Sequence, residues 1–194
     1  MEKVWKRAVG QGFESPRIRS NTKNIGDQMY LKKDKIKEKI EKEDMIQDHV
    51  HLETQLQEHQ FDLTLSKVEE FKGGGRIDFS NNERKLPSTN NIPTRKKNSD
   101  DEYGWWTLSK GQYLAETNET VKLPEDMIMI QQPRLSLLKS GVETPVQITT
   151  SQEPVKPKFM LRIENNNGLE VKENARIVKA IFLDLGDKKP GFIE

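Results

Sequence analysis

Apolar residues recur at every second position in a series of short stretches along this chain. Phe61, Leu63 and Leu65 share one face of an extended segment, the period-2 signature of a half-buried strand. Ile77 and Phe79 alternate in the same way after a glycine turn at 73–75, which predicts a second strand there. Trp105–Leu108 and 112–117 flank Ser109, Lys110 and Gly111, a hairpin signal. Further strands are predicted at 127–130, 146–149, 158–165, 169–171 and 176–185, with turns at 124–126, 165–168 and 172–174.

Helical spacing is confined to two places. Ile36 and Ile40 sit four apart amid charges within 29–46, a short amphipathic helix with a narrow apolar stripe. Residues 135–141 read as one or two helical turns closed by Gly141. Residues 80–103 are polar and read as a long loop, and Trp105 and Trp106 fall on opposite faces of their strand, one toward the core. Many short strands roughly ten residues apart describe an all-β sandwich or barrel, because a parallel α/β fold needs crossover helices. Residues 1–28 have no periodicity and read as a disordered leader, 29–185 as the folded domain, and 186–194 as a short flexible tail.

Composition narrows the functional classes. Of 194 residues, 32 are basic and 31 acidic, so the net charge is +1 and no global field favours nucleic acid or an anionic membrane. The absence of cysteine removes disulfides, thiolate metal sites and thiol nucleophiles together. No apolar run approaches a membrane span, which leaves a soluble, cytoplasmic protein as the expectation. His49, His51 and His59 lack zinc-ligand spacing, and 73–75 is no phosphate-binding loop because no Gly-Lys-Ser/Thr follows.

Four blocks occur in order: 53–57 with 61–65; 73–79 with 84–87; 133–141, Pro-Arg-Leu-Ser-Leu-Leu-Lys-Ser-Gly; and 174–177 running into 180–182. Together, over 29–185, they resemble the deoxyuridine triphosphatase and deoxycytidine triphosphate deaminase family, most of all its archaeal deoxyuridine triphosphatase branch. The resemblance implies a distorted antiparallel β-barrel with a short N-terminal helix and one internal helix. It also implies a homotrimer, Mg²⁺, and a deoxynucleoside triphosphate (dUTP or dCTP) as ligand. Because it begins at Met29, residues 1–28 are expected to be dispensable.

The implied site residues follow from the ligand's chemistry. A nucleoside triphosphate calls for guanidinium forks, hydroxyls and ammonium groups aimed at its oxygens. The resemblance places Arg134 and Ser136 in the phosphate-binding block, with Leu135 where a further serine is usual, and adds Lys139 and Lys179 as phosphate contacts. Gln57 and Asp62 become supporting residues, Asp62 reaching a metal through water at most and no residue ligating one directly. Hydrolysing members carry an aspartate that activates water in the loop where this chain has Thr150, and a hydroxyl is no base at neutral pH. Glu153 is the nearest carboxylate in that loop and the catalytic candidate. The position of the deaminases' glutamate holds Arg162, with Glu164 two residues on.

Two functions from different classes therefore stand open. One is an enzyme that converts dUTP to dUMP and pyrophosphate, with deamination of dCTP as a lesser alternative. The other is an inactive nucleotide-binding or partner-binding homologue of the same fold.

Overall fold

A computed structural model describes residues 29–186; the leader at 1–28 and all but the first residue of the tail at 186–194 lie outside the described residues. The helix predicted within 29–46 forms as α1 (Lys33–Glu43), with Ile36 and Ile40 buried. Its exposed faces carry the i,i+4 pairs Lys39–Glu43 (3.3 Å) and Glu38–Lys42 (2.9 Å), each a modest contribution in water. Asp44, at φ 53°, ends it in the left-handed region. There follow β1 (Ile46–Gln47), the single turn α2 (Leu52–Gln55), β2 (Phe61–Lys72), β3 (Ser88–Asn91), β4 (Trp105–Leu108) and β5 (Gly111–Thr117). The chain continues as β6 (Thr120–Val121), β7 (Met127–Pro133), α3 (Leu135–Lys139), β8 (Val142–Glu143), β9 (Gln147–Thr149), β10 (Lys158–Ile163), β11 (Leu169–Lys172) and β12 (Arg176–Asp184).

The expected all-β architecture is present as one curled antiparallel sheet. Its order is β8-β10-β5-β2-β12-β7-β9, with β3 added beside the far end of β2, and two ribbons, β1-β6 and β4-β11, complete the described strands. Phe61, Leu63, Leu65, Met129, Phe159, Leu161 and Phe182 form the centre of the core, joined by Ile36 and Ile40 of α1. Each fully buried side chain of this size contributes about 1.5–3 kcal/mol.

Three local expectations are corrected. The strand expected at Ile77 and Phe79 does not form: the segment joins the sheet nowhere, Ile77 and Phe79 are fully in solvent, and a single bridge pairs Arg76 with Lys85. The loop expected over 80–103 contains β3, which extends β2 by pairing Ser88–Asn91 with 69–72. The hairpin expected around Gly111 is absent, because β4 pairs β11 whereas β5 pairs β2 and β10. Alternation defines a strand's faces but not its partner, so two strands joined by a tight turn can diverge.

Of the two tryptophans, Trp106 is in the core with its indole N–H on the Ile92 carbonyl at 2.8 Å. Trp105 instead carries the Lys97 ammonium 4.3 Å above its ring. Gly141, at φ 71°, closes α3 as expected. Gly168 is required sterically, since a Cβ there would lie 2.3 Å from the Leu108 carbonyl oxygen.

Candidate functional site

Asp62 lies in the middle of the sheet, on the β2 face opposite Phe61 and Leu63, yet it is only 1% exposed. Three cations explain why a carboxylate is tolerated there. Arg134 donates through Nη1 to Asp62 Oδ2, and Arg176 Nη1 reaches the same oxygen at 3.3 Å. Gln60 Nε2 donates to Oδ1 at 3.0 Å, and Lys179 adds a favourable charge. Burial pushes the Asp62 carboxyl above its ordinary value, and the charges of Arg134, Arg176 and Lys179 pull in the opposite direction.

The cluster depends on a β-bulge in β12. Arg176 stands opposite Thr64, Val178 opposite Leu63 and Lys179 opposite Asp62, so Ile177 is the extra residue. Three positions apart, Arg176 and Lys179 would point to opposite faces of a regular strand; the bulge brings them to the same one. The bulge also anchors the third cation, because the Arg134 backbone N–H donates to the Ile177 carbonyl at 2.9 Å. Arg134 itself caps the single turn α3 at the end of β7. Arg134 and Arg176 side chains remain 28% and 35% exposed, so each guanidinium is oriented from within while keeping donors toward solvent.

The remaining sequence-derived residues fall into two groups. Gln57 joins the cluster indirectly: its Nε2 donates to the Thr54 carbonyl at 2.7 Å, and the same oxygen accepts from Arg176 Nη1 at 2.8 Å. Ser136 and Lys139 are exposed on α3, next along the chain from Arg134. Glu153 is exposed on the segment between β9 and β10, which is pinned by the Val121–Val155 bridge, and its carboxylate makes no contact with the cluster among the described residues. Arg162 faces Glu143 at 3.8 Å across an open cleft of about 240 Å³ that also includes Pro133, Leu138 and Met160. Glu164 lies past the end of β10 and pairs with Lys110 at 3.6 Å. Sequence reasoning missed Arg176 as a site residue, because a bulge leaves no mark in residue spacing.

The fold and this cluster can be set beside known proteins. Residues 30–185 match the family model described as dCTP deaminase-like. The chain belongs to the dCTP deaminase-like family. Within reach of it is a probable deoxyuridine 5'-triphosphate nucleotidohydrolase of Archaeoglobus fulgidus, 33% identical over 162 residues that cover 84% of this chain and 92% of the relative. The deoxyuridine 5'-triphosphate nucleotidohydrolase of Methanocaldococcus jannaschii is 30% identical over 128 residues, 66% of this chain and 78% of that one. Among solved structures, the 2'-deoxycytidine 5'-triphosphate deaminase of Agrobacterium tumefaciens superposes with a TM-score of 0.58 at 13% identity. That superposition covers 80% of this chain and 48% of the deaminase, so this chain spans about half the length of that protein, and it establishes a shared fold. The dCTP deaminase-like match takes in every element from Tyr30 to β12, including the bulge and all three cations.

No described helix is long and apolar enough to cross a membrane.

Proposed function

We propose that this chain binds a deoxyuridine-type nucleoside triphosphate and hydrolyses it to the monophosphate and pyrophosphate, as the names of its archaeal relatives describe for those proteins. The observation that carries the reading is the convergence of Arg134, Arg176 and Lys179 on one buried carboxylate. Asp62 neutralises only part of that charge, and the exposed donors of both guanidiniums are preorganised for phosphate oxygens. Ser136 and Lys139 extend the same edge along α3.

Hydrolysis requires water to attack a phosphorus, forming one P–O bond as the bond to the pyrophosphate leaving group breaks, with a base taking the proton. Glu153 is the proposed base; it is exposed, and the proposal requires it to reach the water beside bound nucleotide. Magnesium fits only as a companion of the triphosphate. Among the described residues no group of three or more carboxylates and imidazoles could hold a metal, and Asp62 is committed to arginine. The described residues thus offer no such cage for a resident ion, and the proposed role of their cations is to bind and orient phosphate.

A homotrimer with sites between protomers is the matching assembly. The solvent-exposed Leu135, Leu138, Val146 and Ile148, on α3 and around β9, support an apolar contact surface beside the cluster. The second reading, binding without hydrolysis, is favoured by two features: Thr150 in the loop, and the lack of a described contact between the Glu153 carboxylate and the cluster. Release of pyrophosphate and ammonia from dUTP and dCTP with Mg²⁺ tests both. Pyrophosphate from dUTP supports hydrolysis; triphosphate binding without product supports the second reading; ammonia from dCTP makes the chain a deaminase and overturns the first.

A further inference from the structure

Glu119, in the turn between β5 and β6, is completely buried, and its described hydrogen-bond partners are neutral. Gln55 Nε2 donates to Oε1 at 2.6 Å, the Thr64 hydroxyl donates to the same oxygen, and the Thr64 backbone N–H donates to Oε2 at 2.9 Å. A carboxylate in such a place is costly to desolvate, and only saturation of its lone pairs makes it tolerable. A buried leucine would fill a core more cheaply, so what the carboxylate uniquely supplies is its set of directed bonds.

Those bonds lead to the cation cluster. Gln55, itself 1% exposed, also donates from Nε2 to the Asp62 carbonyl at 2.9 Å, and its Oε1 accepts from the His51 N–H at 2.7 Å. It therefore locks α2 onto β2 at the residue that carries the central carboxylate. The preceding residue, Thr54, offers the carbonyl that receives Arg176 and Gln57. Thr64 stands directly across from Arg176 in the β2–β12 pairing. From the same side, Asn118 Nδ2 donates to the Thr64 hydroxyl oxygen at 2.9 Å and to Asn174 Oδ1 at 2.9 Å, which ties the turn bearing Glu119 to the start of β12.

We propose that Glu119 and Gln55 are positioning residues for the Asp62–Arg134–Arg176 cluster, holding both the turn whose Thr54 carbonyl seats Arg176 and the strand segment that presents Asp62. Neither touches the incoming ligand. They act by fixing one of the two oxygen contacts of Arg176 relative to the other, so that its remaining donors point outward in a single orientation. For its functional consequence the inference rests on the triphosphate reading; for its geometry it does not.

The test uses the full chain with Gln55→Met, which keeps side-chain length and removes both donations, and Thr64→Val against Thr64→Ser, which remove and retain the hydroxyl. Two readouts separate positioning from mere stability. In nitrogen-15 spectra, the Arg176 guanidinium N–H signals should exchange about tenfold faster in Gln55→Met, as for a local opening, while backbone protection of β7–β12 stays unchanged. The dissociation constant of a non-hydrolysable deoxyuridine triphosphate analogue should rise about tenfold, the equivalent of one hydrogen bond. Thr64→Val should fall between, and Thr64→Ser should match the wild type. Folded Gln55→Met protein with unaltered Arg176 signals overturns the proposal; if that variant does not fold, the Thr64 pair decides by the same signals. Failure of the wild type to bind any triphosphate counts against the triphosphate reading alone, since the Arg176 signals judge the positioning role without ligand.

Discussion

Arg134 reaches across 72 residues of sequence to donate to the carboxylate of Asp62, and Arg176 meets the same oxygen from the neighbouring strand. The cluster is thus both a structural ion-pair network and the proposed phosphate site, and the two roles respond differently to substitution. Removing Asp62 releases two guanidiniums that are already about one-third exposed and can hydrate. Asp62→Ala is therefore expected to cost about 1.5–3 kcal/mol, the range for lost charged hydrogen bonds, rather than the larger penalty of stranding a fully buried charge. Urea unfolding of the two proteins at neutral pH measures the difference.

Arg134→Ala should weaken binding of a deoxynucleoside triphosphate by about 1.5–3 kcal/mol, as for a charge-assisted hydrogen bond. Arg134→Lys should recover only part of this, because an ammonium on a flexible stem does not reproduce the planar fork. Calorimetric titration reads both, and equal affinity of Arg134→Ala and wild type would remove Arg134 from the site.

The segment 73–87 and helix α1 both display isoleucines, and they should answer oppositely to truncation. Ile36 is fully buried, so Ile36→Ala should destabilise by about 2–5 kcal/mol. Ile77 is 83% exposed, and Ile77→Ala should stay within about 0.5 kcal/mol. Chemical denaturation of the pair checks the assignment of 73–87 to the surface.

Gly168 and Gly74 provide a steric contrast of the same kind. Gly168→Ala meets a backbone oxygen and an unfavourable positive φ, and should cost about 1–3 kcal/mol. At Gly74 no atom lies within 4 Å of the place a methyl would occupy, and Gly74→Ala should be nearly neutral. Thermal melts suffice to rank them.

Glu119 gives the fold a specific pH dependence. Burial raises its carboxyl above the ordinary glutamate value, against the hydrogen bonds from Thr64 and Gln55. A raised folded-state value means that the native chain holds this proton more tightly than the unfolded chain. Its contribution is fully present below the ordinary glutamate value of about 4.3 and is lost as pH climbs through the raised one. Glu119→Gln should therefore show a shallower decline in stability over that interval than the wild type, whatever its stability at a single pH. Unfolding free energies at a series of pH values test the slope, and parallel curves would refute the assignment.

Much of the fold was legible from apolar spacing: α1 from its two isoleucines four apart, the start of β2 at 61–65, β10 and β12 from their apolar runs, and Gly141 from its place at the end of α3. What alternation could not supply was partnership. The turn at Ser109–Gly111 looked like a hairpin because its residues suit one, but the strands on either side are claimed by β11 and by β2 with β10. Phe79 alternated correctly with Ile77 and still lies in solvent, since spacing does not reveal whether a facing surface exists. Within the candidate site, Asp62 and Arg134 were singled out from the ordered blocks, and Lys179 from the family resemblance. Arg176 was not, because its side is decided by the bulge at Ile177, and Glu119 was not, because a lone glutamate in a turn ordinarily faces water.

The divergence of β4 from β5 also bears on how the chain reaches this state. Apart from the local bridge of Trp105 to Arg95, Trp105–Leu108 must wait for 169–172, more than sixty residues later, for its strand partner. β2 must likewise gather partners from 113–117 and 176–180. Nearly every pairing in the domain is therefore long-range, so the loop-closure cost is met before the contacts that repay it exist. A chain wired in this way folds slowly for its size, and among its paired strands β2 and β12, whose partners lie 112–119 residues apart, have the largest loop to close.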